Sequence, residues 1–293
     1  MRKKLTFSVL VVWMLVMAGT AFPATVMQYS FDGTLGSDVP DGLVDDTGTY
    51  TATIIAGSDA DSAIKYAGPN PTYNTNGTSA EFYNDNWDNN AGDTLLVPDA
   101  EGIDFSSFDS FTVELFIYPA SSGSGNTRRI FSEYVYAYMF LDSSNALHAV
   151  RKWGDGSWDE NRTYLTMASF PHDSWSHVAM SWDANESGDK LKLYVNGELV
   201  ASDGGTSTAT IDSIAGFTIG GYQRENGSTA QFFVGKIDEF RLSDVAVDPS
   251  KFIGMVPSIS FETASSEAFE SVTQALLTVT LSNPAGHTNY EAN

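Results

Sequence analysis

The chain has 293 residues, with 37 acidic and 15 basic side chains and a formal charge of −22. Such a surface repels nucleic acid phosphate and anionic lipid, which excludes both as partners. The 42 % hydrophobic and 13 % aromatic content excludes disorder, and the absence of cysteine excludes disulfides, thiol nucleophiles, Cys-bound zinc and iron–sulfur clusters.

Residues 1–21 open with Arg2, Lys3 and Lys4, continue as an apolar run from Leu5 to Ala18, and close on the small residues Gly19 and Ala21. That order is the pattern of a cleaved signal peptide, and the run is short for a bilayer span. The expected location is secreted or cell-surface, with no membrane insertion after cleavage.

From residue 26 to about 243 the dominant period is two. Strands are predicted at 26–31, 50–55, 79–83, 94–97, 110–118, 129–133, 136–141, 146–151, 162–167, 175–182, 190–197, 198–202, 217–222 and 232–241. Within 110–118, Phe111, Val113, Leu115 and Ile117 form one wholly apolar face. Asn196-Gly197 sits between two strand patterns, and both residues tolerate positive φ, so a hairpin turn is predicted there. No stretch has the pattern of a three-turn amphipathic helix. Many short strands joined by Gly, Asn, Asp and Ser turns imply an antiparallel β-sandwich. Near Asp248-Pro249 the pattern changes. A linker at 251–257 leads into 258–293, where 258–261 and 275–281 read as strands of an incomplete second β unit.

Three stretches, taken together, are similar to one family. They are SFTVELFIYP at 110–119, SWSHVAMSWDANESGDKLKLYVNGELVAS at 174–202, and FTIGGYQRENGSTAQFFVGKIDEFRLSDVAV at 217–247. In this order and spacing they resemble the laminin G-like members of the concanavalin A-like lectin/glucanase superfamily. The resemblance covers roughly residues 26–250 of a domain set at 22–250, and it implies a jelly-roll sandwich of two curved antiparallel sheets. The tail, with Ser-Ile-Ser-Phe, a run of Ser and Glu, and Leu-Thr-Val-Thr-Leu-Ser-Asn-Pro, resembles the first third of a Calx-beta domain. That implies a module of a larger adhesin-like surface protein.

Glucanases on this sandwich carry carboxylates at alternate positions of one strand, on one face, as glycoside cleavage requires. Here Glu114 has Thr112 and Phe116 as same-face neighbours, and Asp238 has Lys236 and Phe240. No strand offers a paired-carboxylate array, so the chain reads as non-catalytic. A calcium ion commonly ties the start of this sandwich to its penultimate strand. On that resemblance the matching positions are Asp238 and Asp32, with Asp45 or Asp46 adding a ligand. Aromatic platforms are the other candidates. Trp153 and Trp158 share a loop with Asp155 and Asn161, where an indole face stacks on a sugar ring while Asp and Asn take its hydroxyls. Trp87, beside Asp85 and Asp88, has the same character, and Tyr222 follows a core strand where it would line a rim. The expected function is recognition of a glycan or glycosylated extracellular partner by a calcium-stabilised sandwich. The alternatives are a polysaccharide hydrolase or lyase, and a structural spacer.

Overall fold

A computed structural model describes residues 25–56, 63–68, 71, 77–83, 92–98, 108–123, 125–133, 136–152, 162–204, 217–224 and 227–255, together with the backbone of 258–261 and 279–282. The strands run β1 Thr25–Tyr29, β2 Leu43–Val44, β3 Thr51–Ile55, β4 Lys65–Ala67, β5 Ser79–Phe82 and β6 Thr94–Val97. Next come β7 Ser110–Pro119, β8 Arg128–Glu133, β9 Ala137–Leu141, β10 Leu147–Lys152, β11 Arg162–Met167 and β12 Ser176–Asp183. Then follow β13 Leu191–Val195, β14 Glu198–Asp203, β15 Phe217–Ile219, β16 Tyr222–Gln223, β17 Thr229–Ala230 and β18 Gly235–Ser243. β19 Ser258–Phe261 and β20 Val279–Ser282 form a two-stranded sheet of their own. Among the described residues no helix is long and apolar enough to cross a membrane.

Two eight-stranded sheets result. The first has the order β14-β13-β12-β7-β18-β5-β4, with β1 also paired to β18, and the second has β11-β10-β9-β8-β15-β6-β3-β2. The apolar alternation dictates which face turns inward. Phe111, Val113, Leu115 and Ile117 of β7 are fully buried against Met139, Leu147 and Ala149 of the second sheet's strands in one continuous core. Phe131 of β8 stacks on Phe217 at 5.6 Å and meets Phe240 of the first sheet edge-on at 6.5 Å, so aromatic contacts join the two layers. This is the all-β antiparallel sandwich that the period-two pattern predicts.

Two glycine-dependent turns set the register. Asn196 and Gly197 adopt φ of 51° and 79°, and Val195 faces Glu198 across this two-residue hairpin. Gly235 opens β18 at φ +136°, where a Cβ would lie 2.1 Å from the Tyr118 carbonyl oxygen. Three short strands escape the sequence pattern: β2, β4 and β17 have two or three residues each, below what periodicity resolves.

The outer face of β7 is also buried. Thr112 and Glu114 have no solvent exposure, because residues 244–255 lie across this part of the first sheet. Phe252 is 0 % exposed and packs with Ala179, Tyr194 and Val247. Burying such a ring stabilises a fold by about 1.5–3 kcal/mol. Residues 251–255, which the sequence places in the linker, therefore pack on the sandwich.

Candidate functional site

The outer face of the second sheet holds the richest chemistry. Antiparallel register aligns Val150 with Tyr138 and Tyr164, His148 with Phe140 and Thr166, and Lys152 with Arg162. Their strand neighbours Met139, Ala149 and Leu165 point into the core, so these side chains point away from it. A packed aromatic layer follows. His148 stacks on Phe140 with centroids 4.6 Å apart and meets Tyr164 at 4.8 Å, while Tyr138 lies 5.8 Å from Phe140. Tyr164 remains 41 % exposed at the top of this layer.

Cations sit among the rings. The Arg129 guanidinium lies 3.7 Å from the centroid of Tyr138, 5.2 Å from Tyr222 and 5.3 Å from Phe140. Its Nε donates to Gln231 Oε1 at 2.7 Å, which fixes the plane of the group. Arg162 lies 5.6 Å from the Tyr164 ring, and Lys152 Nζ lies 5.7 Å from Tyr136. Such contacts contribute from about 0.5 kcal/mol when exposed to about 2 when desolvated. The strands of the second sheet carry five basic residues and one acidic residue, Glu133, on a chain of net charge −22.

His148 is held from both sides, with Nδ1 2.9 Å from Thr166 Oγ1 and Nε2 3.0 Å from Asp142 Oδ2. Burial opposes ionisation of Asp142. The His148 contact and the Ala146 and Ser144 amides outweigh it and hold the carboxyl at about 2. Burial, with Tyr138 and Asp142 nearby, pushes the Tyr164 hydroxyl up to about 12. At neutral pH the layer thus presents a neutral phenol beside a guanidinium. That is a platform for stacking and hydrogen bonding rather than for proton transfer.

Of the residues predicted to bind ligand, Tyr222 belongs to this layer and is nearly buried between Arg129 and Ala230. Trp87, Trp153, Asp155, Trp158 and Asn161 lie outside the described residues. The 153–161 segment nevertheless leaves from Lys152 and returns at Arg162, which are register partners on this face. Sequence reasoning passed over Tyr138, Phe140, His148 and Tyr164. The usable signal was the alternation Tyr136, Tyr138, Phe140 on a strand whose other positions, Ala137, Met139 and Leu141, already supply a core face.

The predicted metal ligands divide into committed and open groups. Asp45 is buried and accepts hydrogen bonds from the Thr49 amide at 2.9 Å, the Tyr50 amide at 2.8 Å and Thr47 Oγ1 at 2.7 Å. Burial raises its pKa, but these donors prevail and lower it. Asp46 is exposed and caps Ser30, accepting its amide at 2.9 Å and its hydroxyl at 3.3 Å. Asp32 is exposed and accepts the Thr78 amide at 3.2 Å.

Asp238 differs from all three. It is 0 % exposed, its Oδ1 accepts the Glu239 amide at 2.9 Å, and its Oδ2 has no hydrogen-bond partner. Burial first, then the charges of Glu239 and Asp32, raise its carboxyl to about 9. It sits at a bulge in β18, where Glu239 adopts φ +51°. Among the described residues no three acidic or histidine side chains converge as a metal cage.

Glu114, the carboxylate of the central strand, is sealed. Its Oε1 accepts Arg241 Nε at 2.9 Å and also Arg241 Nη2, while Oε2 accepts His177 Nε2 at 3.0 Å and the Ile253 amide at 2.7 Å. Burial disfavours the charge, but His177, Arg241 and that amide reverse the balance and hold the carboxyl below its ordinary range. Its flanking register partners are Ala179 and Arg241, so no second carboxylate stands beside it.

These features define a concanavalin A-like sandwich with one aromatic, cation-bearing outer face. Residues 88–251, more than half of the chain, match the laminin G-like model described as the concanavalin A-like lectin/glucanases superfamily, and the chain belongs to this family. No curated protein matches it. Among solved structures it is similar to a botulinum neurotoxin type C structure whose cell entry depends on two ganglioside molecules. The identity is 13 %, the TM-score 0.52, and the match covers 78 % of this chain and 50 % of that one. Domain 4 of AbnA, an extracellular arabinanase from Geobacillus stearothermophilus solved with arabinotriose, is 20 % identical with a TM-score of 0.47, over 79 % of this chain and 97 % of that one. The carbohydrate-binding module CBM40 of the Ruminococcus gnavus IT-sialidase, bound to α2,3 sialyllactose, is 17 % identical with a TM-score of 0.42, over 51 % and 89 %. The chain spans about half the length of the toxin chain it matches.

Proposed function

We propose that the chain is a secreted, non-catalytic recognition module. It binds carbohydrate, or a glycosylated extracellular partner, on the outer face of the second sheet. The observation that carries this reading is the exposed Tyr164 ring with the Arg162 guanidinium 5.6 Å away, on a packed floor of Tyr138, Phe140 and His148. A sugar ring stacks its apolar face on such a phenol, and guanidinium and hydroxyl groups take its oxygens. Trp153, Asp155, Trp158 and Asn161, on the segment joining Lys152 to Arg162, would extend the same site. The sealed state of Glu114 supports a module that holds a ligand rather than cleaves it. Fold alone does not fix function, since this sandwich carries both lectins and hydrolases. In botulinum neurotoxin type C the same fold belongs to a protein that depends on gangliosides.

Structural calcium completes the reading. Calcium takes carboxylate and carbonyl oxygens, and the buried, unpartnered Oδ2 of Asp238 fits that chemistry. Asp32 would be the second ligand. Asp46 would have to release Ser30 to join them. The signal-peptide pattern and the Calx-beta-like tail suit an outward-facing part of a larger adhesin-like surface protein.

A glycan array probed with the full chain and with Tyr164→Ala tests the site. The wild type is expected to bind a defined glycan class, and the variant to lose binding with its melting temperature unchanged. Binding that survives Tyr164→Ala removes the proposed face, and the absence of any glycan binding favours a spacer.

A further inference from the structure

We infer that residues 244–255 are a strap, docked on the outer face of the first sheet through Glu114 and Thr112, that lifts as a unit while the sandwich stays folded. None of these residues belongs to a strand of either sheet. The strap is held by side chains instead. Thr112 Oγ1 donates to the Val245 carbonyl at 2.9 Å and accepts the Val247 amide at 2.9 Å. Glu114 Oε2 accepts the Ile253 amide at 2.7 Å, and Arg241 Nη2 donates to the Lys251 carbonyl at 3.2 Å. Val247 and Phe252 are the strap's two buried side chains, Phe252 completely.

The strap also satisfies itself. Asp248 Oδ1 accepts the Ser250 amide and hydroxyl at 2.9 and 2.6 Å, and the Lys251 amide donates to the Asp248 carbonyl at 2.8 Å. The Met255 amide donates to the Phe252 carbonyl at 3.0 Å. Lifting the strap therefore exchanges these hydrogen bonds for water and parts Val247 and Phe252 from Ala179, Tyr194 and His177, but breaks no ladder. β18, which precedes it, is by contrast paired to β1, β5 and β7. An element held by side-chain contacts and by no ladder opens at a lower free energy than global unfolding. Glu114 then keeps Arg241 and His177, so the sheet's polar cluster survives the departure.

The consequence is mechanical. At roughly 3.3–3.6 Å per extended residue, the twelve released residues span up to about 40 Å in total, so release of the strap adds to the connection whatever part of that length the docked path does not already cover, without unfolding the sandwich. A recognition domain on such a connection gains reach before its core bears load.

Amide hydrogen exchange on the full chain tests this directly. The Val247 and Ile253 amides donate to side chains of the sheet, so they report the dock. They are expected to exchange at one common rate, on the order of tenfold or more faster than the Val113 and Leu115 amides of β7. Phe252→Ala should accelerate both strap amides by the same factor and leave Val113 and Leu115 unchanged. Thr112→Val, which removes both hydroxyl contacts, should do the same and serves if the first variant fails to fold. Strap amides that exchange at the β7 rate would overturn the inference, because the segment would then open only with the core. So would acceleration of Ile253 alone, because the segment would then not move as one piece.

Discussion

Glu114 and Arg241 face each other in register on the two central strands of the first sheet, with Nε and Oε1 2.9 Å apart and neither side chain more than a tenth exposed. Here the carboxylate is saturated by Arg241, His177 and a backbone amide. Because Glu114 accepts only, His177 Nε2 must carry the proton it shares. The arrangement ties β7, β12, β18 and the 244–255 segment to one another.

Glu114→Gln should therefore destabilise strongly, by about 3–5 kcal/mol in urea unfolding, because it leaves the Arg241 charge buried without its counter-ion. The double variant Glu114→Gln with Arg241→Met should recover part of that loss. A single-variant cost below about 1 kcal/mol would mean that the pair is solvated and that this description of the face is wrong.

Asp142 gives a pH signature. Its folded pKa of about 2 lies below the ordinary 3.8, so its contribution to stability is complete above pH 3.8 and fades as pH falls from 3.8 toward 2. The difference in stability between wild type and Asp142→Asn should stay constant from pH 5 to 7 and vanish near pH 2. Because this carboxylate is partly exposed and therefore screened by solvent, the difference should not exceed about 1 kcal/mol. Urea midpoints of the two proteins across that range measure it.

Asp238 carries the calcium reading. With its Oδ2 buried and unpartnered and its carboxyl raised to about 9, Asp238 must take up a proton on folding at neutral pH, so Asp238→Asn, which carries no such cost, should raise the melting temperature in the presence of chelator. The same variant should lose the stabilisation that added calcium gives the wild type. A wild-type midpoint insensitive to both chelator and calcium would remove the ion.

Gly235 tests the pairing of β7 with β18. Alanine there would force a Cβ to within 2.1 Å of the Tyr118 carbonyl oxygen at a φ of +136°. Gly235→Ala should cost more than about 1 kcal/mol, whereas Gly36→Ala, with open space around its Cβ, should cost less despite its φ of +82°.

Most of the fold was legible because it is local. Alternation in Phe111, Val113, Leu115 and Ile117 fixed a core strand, and Asn196-Gly197 fixed a hairpin, without knowledge of any partner. What remained hidden was set by distance along the chain. Glu114 meets His177 63 residues away and Arg241 127 residues away, and no period links them. The strap was hidden for the same reason, since Phe252 is buried only because the outer face of β7 carries Glu114 and Thr112 to receive its neighbours. On the second sheet, Tyr138 and Phe140 lie on β9 and Tyr164 on β11, and no local pattern in the sequence joins the two strands. Only cross-strand register with His148 and Arg129 brings those rings together.

The most direct test of the central claim, recognition without cleavage on the second sheet, is titration calorimetry of the full chain with its best array-selected glycan, followed by product analysis of the recovered sugar. The account predicts saturable binding, lost in Tyr164→Ala, with the glycan returned at its original length. New reducing or unsaturated ends in the wild-type sample would contradict it.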